Sequence, residues 1–251
     1  DDGIREWGGY FEVNNTYGSV NFVDPTGIQL VPNKTIIDAP ASSALAYINY
    51  QYKDDDMAQI EQTKKLPVTL LQDPVYLKRL DCLTTTLPEE TKTVSIYSLG
   101  ERDALVWGNN KYLILAPTIL LKKGTTSENL STELLNHRLT LYYLSAEGDE
   151  DANTLKLYLR YEISGIGGSS TEETDDKESW ASDYNVRYTN VSHVNLQPII
   201  SMYKSTHSGS EPEKVTVEYE YNNSTSSIPT IAKKQTKTVT YNLYTETSSN
   251  N

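Results

Sequence analysis

The 251-residue chain carries a formal charge of −12, from 34 acidic against 22 basic side chains, and 37% of it is apolar. That length corresponds to one or two domains. The surplus of carboxylates repels phosphate backbones and anionic lipid, so neither nucleic acid nor an electrostatically held membrane is expected as a partner.

The opening "DDGIREWGGY" has no Met, and we expect a processed start from which an export signal has been removed. In Ser19 to Pro32 two short apolar runs flank Asp24-Pro25-Thr26-Gly27, which reads as a hairpin turn. Pro presets the first central position there, and Gly supplies a left-handed residue. "ALAYINYQY" reads as a strand, and "DDDMAQIEQTKK" (54–65) predicts a short helix with Met57 and Ile60 on one side. The sole cysteine, Cys82, shares strand parity with Leu80 and reads as a buried, inert thiol without an intrachain disulfide. No His lies near it in sequence to stabilise a thiolate. Sequons such as Asn33-Lys34-Thr35 read as compositional. Apolar alternation stops in "TTTLPEETKT" (84–93), which places a domain boundary there: 1–88 and 89–251.

Beyond that boundary, "KYLILAPTILL" and "HRLTLYYL" read as strands. "SENLSTELLNH" predicts a helix with Leu130, Leu134 and Leu135 at helical spacing and Ser127 as its cap. "TLKLYLRYEI" alternates Leu155, Leu157, Leu159, Tyr161 and Ile163 with Lys156, Tyr158, Arg160 and Glu162. "KVTVEYEY" sets Val215, Val217, Tyr219 and Tyr221 against Thr216, Glu218 and Glu220, and "TVTYNLY" groups Val239, Tyr241 and Leu243. Such period-2 alternation predicts sheets with one dry face and one wet face. "AEGDEDAN" (146–153) and "GIGGSSTEETDDKESWASD" (165–183, anchored by Trp180) read as loops, and "NNSTSSIPTIAKKQ" as the connection between the last two strands. With 19 Tyr against two Phe, the sheets are expected to be half-wet, a bias that a sugar-stacking platform also produces. No run of about 18 apolar residues predicts a membrane-crossing helix. The fold class is mainly β.

Catalytic signatures are missing. There is no Gly-x-Ser-x-Gly elbow and no His-Glu-x-x-His helix. Gly165-Ile166-Gly167-Gly168 is followed by Ser, Thr and acidic residues, not by a helix that presents amides to phosphate. His137 shares a face with Leu139 and Leu141 at the entry of a strand; His193 falls on the polar parity of "VSHVNL" and is expected exposed; His207 sits in the loop "STHSGS". Their spacing makes no metal set. "YKDDDM" and "GDEDAN" concentrate oxygen ligands but lack the order of a calcium loop and read as solvated turns. We therefore predict no catalytic residue, no cofactor and no metal site.

Six stretches in order carry a family resemblance: "GYFEVNNTYGSVNFVDPTGIQLVPN", "SSALAYINYQYKDD", "PVYLKRLDCLTT" with Tyr76 and Lys78, "DALVWGNNKYLIL" with Trp107, Gly108 and Tyr112-Leu113, "HRLTLYYLSAEGDEDANTLKLYLRYEISG", and "SHVNLQPI" as a closing strand. Together they resemble NigD-like proteins, a Bacteroidetes family whose members are taken to be lipoproteins. The likeness runs to about residue 200. It departs from the family at Tyr161, where members often have His, and in the long loop 165–183. The resemblance implies an N-terminal OB-like barrel followed by a C-terminal β-sandwich. It also implies a lipid anchor on a Cys ahead of the mature start, to which Asp1-Asp2 is suited, and hence export to the outer membrane or cell surface. It supplies no catalytic residues. The expected function is a non-enzymatic cell-envelope lipoprotein acting as a glycan- or protein-binding accessory module. A fimbrillin-like structural or adhesive subunit is the alternative, and an enzyme acting on polysaccharide ranks below both.

Overall fold

The computed structural model describes residues 2–17, 19–41, 44–100, 104–144, 153–166, 183–222 and 234–245. Strand makes up 51% and helix 12%, the mainly-β class that alternation predicts. The chain divides into two compact units, Asp1–Arg79 and Leu80–Asn251.

In the first unit β1 (Ile4–Thr16) is long enough to serve two partners. Its residues Glu12 to Thr16 pair with β2 (Ser19–Val23), and Ile4 to Glu12 pair antiparallel with β4 (Leu45–Lys53). From β2 the sheet passes to β3 (Gln29–Pro32), then in parallel to β5 (Lys65–Leu70), and antiparallel back to β4. The ring is a closed five-stranded barrel, as expected for the first domain. Phe11, Val13, Phe22, Leu30, Ala46, Ile48, Leu66 and Val68 fill it. Each large side chain so buried contributes about 1.5–3 kcal/mol. Two short strands, β6 (Val75–Tyr76) and β7 (Lys78–Arg79), follow the ring.

The hairpin at Asp24 is built as predicted, with Gly27 at φ +95°. Its carboxylate adds what the turn chemistry alone does not show: Asp24 Oδ1 accepts from the backbone N–H of Thr26 (2.9 Å) and of Ile28 (2.9 Å) and from the Thr26 hydroxyl (2.8 Å). The helix expected over 54–65 is instead a 3₁₀ stretch, Asp54–Gln59, and a single α turn, α1 (Ile60–Thr63). Three adjacent Asp are poor helix-interior residues. Ile60 plugs the barrel, but Met57 is exposed and does not share that face.

Among the described residues the second unit holds three sheets around one core. The largest runs in the order β17 (Lys234–Asn242), β16 (Lys214–Asn222), β13 (Thr154–Ile163), β12 (His137–Tyr142), β8 (Asp81–Leu83). In a second sheet β10 (Tyr112–Leu115) lies between β9 (Ala104–Trp107) and β15 (Ser192–Asn195), and β11 (Thr118–Lys122) pairs with β14 (Tyr184–Thr189) in the third. "KYLILAPTILL" is thus two strands in different sheets, parted at Ala116-Pro117, where Pro lacks a ladder donor. β16 and β17 pair antiparallel; their connection, 223–233, lies outside the described residues, as do most of the two loops over 146–153 and 165–183.

Three expectations are corrected. Only the first half of "SHVNLQPI" is a strand: β15 stops at Asn195, and a helix starts at Gln197 where the rest of a closing strand was expected. Among the described residues the helices of this unit are α2 (Leu130–Leu134) and α3 (Gln197–Thr206). Pro198 sits in the first turn of α3, where its missing N–H costs nothing, and Asn195 Oδ1 accepts from the Gln197 N–H at 3.0 Å. Ile199 and Tyr203, one turn apart, bury against the core. In α2, Leu130 and Leu134 pack on the core, but Leu135 is 84% exposed, and Asn129, not Ser127, precedes the helix. Finally, the polar side of the large sheet is not wet throughout: Tyr158, Arg160 and Glu220 are buried.

Among the described residues no helix is long and apolar enough to cross a membrane, a statement that leaves β-barrels aside.

Candidate functional site

The barrel carries a shallow groove of about 250 Å³ on its outer surface, beside the connection from β4 to β5. The strand pairing brings its parts together: Gln51 stands opposite Thr69, Ile4 opposite Lys53, and Asn33 follows the end of β3, with its backbone N–H donating to Val68 O at 3.0 Å. The groove presents carboxamides and hydroxyls (Asn33, Gln51, Thr69) over the aliphatic surface of Ile4 and Pro67, with Tyr52 at one side. The Asn33 amide donates to Thr69 Oγ1 at 3.2 Å, which orients both. Lys53 and Asp56 supply one charge of each sign at the rim. Such a lining suits an uncharged, hydroxyl-rich ligand.

Gly8 keeps the neighbouring stretch of this surface flat. A Cβ there would collide with Asn49 Oδ1 and reach within 2.9 Å of the Tyr47 hydroxyl. Tyr10 and Tyr47 meet edge to face at 5.3 Å beside it.

On the second unit, the polar side of the large sheet carries a buried charge network. Glu220 receives Lys234 Nζ at 2.8 Å and the Thr93 hydroxyl at 2.6 Å, with Arg160 Nε at 3.8 Å. Arg160 in turn donates to Glu218 Oε2 at 2.7 Å, and Lys156 lies 3.9 Å from the other Glu218 oxygen. Thr93 arrives on a segment that wedges between diverging strands: Val94 bridges Tyr161 of β13, and Ile96 bridges Tyr221 of β16. The crossing of that segment is what dries Glu220 and Lys234. Fully paired, the network acts as structure, not chemistry.

A second polar group lies on the core side of β12. His137 shares a hydrogen bond through Nδ1 with the Tyr161 hydroxyl, and its Nε2 meets Glu133 Oε1 at 2.7 Å. An imidazole protonated on Nε2 donates to the carboxylate and accepts from the phenol, which satisfies all three groups. Burial, with Tyr184 and Glu133 nearby, pushes the Tyr161 phenol well above its usual range, so it stays protonated. His137 points inward, its side chain only 2% exposed.

The opposite parity of the same strands does open. Arg138 and Glu162, paired across β12 and β13, line a cleft of about 510 Å³ together with Lys92, Leu135, Asn136 and Ser164. Neither Lys92 nor Arg138 forms an ion pair among the described residues.

Of the residues singled out from sequence, Cys82 is half-buried against the core rather than fully buried, and burial pushes its thiol up to about 12, consistent with an inert side chain. His193 is corrected: it is 4% exposed, edge-on to the Tyr112 ring at 5.6 Å, because both faces of β15 are covered and alternation there does not report exposure. His207 ends α3 stacked on Tyr203, ring centres 3.7 Å apart. The three histidines do not converge, and among the described residues no group of three or more His, Cys, Asp and Glu is placed to hold a metal. In "YKDDDM", Asp54 pairs with Arg5 at 3.0 Å. Trp180, Gly167 and Gly168 lie outside the described residues. Sequence reading missed both openings. The i, i+4 spacing of Glu133 and His137 was a visible signal for the relay, but nothing local links Asn33, Gln51 and Thr69.

No family model matches the chain, and no curated protein does. Solved structures do. A protein named as a putative lipoprotein from Bacteroides fragilis is 22% identical, with a TM-score of 0.71, over 96% of this chain and 99% of that one. The fold is shared. A protein of unknown function from Bacteroides vulgatus is similar at 12% identity and a TM-score of 0.57, over 96% of this chain and 93% of that one. A NigD-like immunity protein from Bacteroides caccae aligns over 92% and 91% of the two chains at 11% identity, but its TM-score of 0.48 is too slight to argue from. At these identities the likeness establishes a common architecture along both units and leaves activity open.

Proposed function

We propose that the chain is an exported, lipid-anchored envelope protein of the NigD-like kind, acting as a non-enzymatic binding module whose barrel groove takes a saccharide, or a protein segment presenting similar groups. The ordered sequence motifs and the architecture shared with the B. fragilis protein support the family and the envelope setting. The observation that carries the binding role is the groove itself: three uncharged hydrogen-bonding side chains, Asn33, Gln51 and Thr69, set around an aliphatic floor. Sugars need this combination, since their hydroxyls ask for paired donors and acceptors while their C–H faces ask for apolar surface. Barrels of the OB-like type bind oligosaccharides beside the connection between the fourth and fifth strands, where this groove lies.

A glycan array probed with the full chain tests the reading. A neutral glycan should be captured, and Gln51→Ala or Asn33→Ala should weaken capture at least tenfold while thermal unfolding is unchanged. Capture that survives both substitutions, or a groove that crosslinks only to protein in cells, would remove the saccharide from this site.

A further inference from the structure

We propose that the cleft beside Arg138 on the large sheet is a second binding site, for an acidic saccharide whose uronate carboxylate is held between Arg138 and Lys92. It lies on different strands from the barrel groove and does not depend on that groove's role.

The charge pattern is the first argument. On this face of the sheet Lys156, Arg160 and Lys234 are each matched by Glu218 or Glu220. Lys92 and Arg138 are not matched by any ion pair among the described residues, and they come together where the face opens into a cavity of about 510 Å³. In a chain of net charge −12, Lys92 and Arg138 against the single carboxylate of Glu162 leave the described lining of the cleft with one positive charge, a local anion trap. An Arg guanidinium grips a carboxylate through two parallel N–H donors, and a Lys ammonium adds a mobile point charge.

The rest of the lining narrows the anion. Glu162, directly across from Arg138, repels a second negative charge, so a monoanion is favoured over a phosphate dianion. Its oxygens are also acceptors for hydroxyl groups. Asn136 and Ser164 add further donors and acceptors, and Leu135, standing exposed at the rim, offers aliphatic surface to the C–H face of a ring. A carboxylate, several hydroxyls and an apolar face on one small unit describe a hexuronic acid. The volume falls within the roughly 300–1,000 Å³ usual for small-ligand sites.

The test is calorimetric titration of the full chain with trigalacturonate and with a glucuronate-containing disaccharide, each set against its methyl ester, which removes the charge and keeps the ring. At least one acid should bind, with its ester at least tenfold weaker. Added salt should weaken the acid further. Arg138→Ala and Lys92→Ala should each reduce affinity at least tenfold without shifting thermal unfolding, and Gln51→Ala in the barrel groove should leave it intact. If Arg138→Ala fails to fold, Lys92→Ala and Arg138→Lys decide. The proposal is overturned if neither acid binds, if the esters bind equally, or if inorganic phosphate or a peptide with a free C-terminal carboxylate competes more tightly than both acids.

Discussion

Glu220 is the most exacting place to test the packing of the second unit. Replacing it with Ala removes the acceptor of Lys234 Nζ and of the Thr93 hydroxyl, at 2.8 and 2.6 Å. The Lys234 side chain is only 7% exposed, so its charge cannot simply turn to water. Stripping one partner from a buried pair costs about 3–5 kcal/mol. Lys234 keeps two neutral acceptors, Glu90 O at 2.7 Å and Thr93 Oγ1 at 2.9 Å, which places the expected loss near the low end, about 3 kcal/mol. For a unit of this size that corresponds to a fall in melting temperature of about 6–12 °C. Urea unfolding followed by tryptophan fluorescence and circular dichroism measures it. Glu220→Gln, which retains an oxygen for Thr93, should lose less. The double substitution Glu220→Leu with Lys234→Met should lose least, because no charge is then stranded; comparison with the two single variants gives the coupling energy. A loss below about 1 kcal/mol for Glu220→Ala would mean that water reaches the pair as it does at a surface ion pair, and the argument from the crossing segment 93–96 would fail.

Gly8→Ala should destabilise the barrel by about 1–3 kcal/mol through the clash with Asn49, and adding Asn49→Ala should restore part of it; equal stabilities by thermal unfolding would contradict the close approach. Alkaline pH should unfold the chain through its tyrosines: burial, then Tyr52 and Asp24, push Tyr50 up to about 12, and Tyr161 moves the same way. The folded state favours the neutral phenols, so their contribution is complete below pH about 10 and is lost as pH rises through the raised values. Tyrosinate absorbance that titrates fully near 10 with the fold intact would refute this. Cys82 should resist a disulfide reagent at pH 8 in the native state and react promptly in urea, since its thiol is pushed up to about 12 by burial; equal rates would show it accessible.

Much of the fold was legible because strands report their own dry side. The runs at 154–163 and 214–221 read as strands by alternation, and Leu155, Leu157, Leu159, Val215, Val217 and Tyr219 are all buried in the core they predict. The turn at Asp24 was legible for the same local reason, through Pro and Gly. The helix α3 was not, because Pro198, three residues past the end of β15, reads equally as a strand end. The candidate sites were the least legible: the groove assembles Ile4, Asn33, Gln51 and Thr69 from four stretches that meet only when the ring closes, and the cleft joins Lys92 to Arg138 and Glu162 across the wedge segment.

By itself, then, the order of residues determined the β class, the inward faces of β13 and β16, the hairpin at Asp24 and a net charge of −12. Tertiary structure alone decided that β13 lies parallel to β16, and that β1 divides between two partners to shut a barrel. It also decided that Arg160, Glu220 and His193 leave the solvent. The physical reason is that alternation records which side of a strand packs on its own core, whereas the fate of the other side depends on which distant segment crosses it.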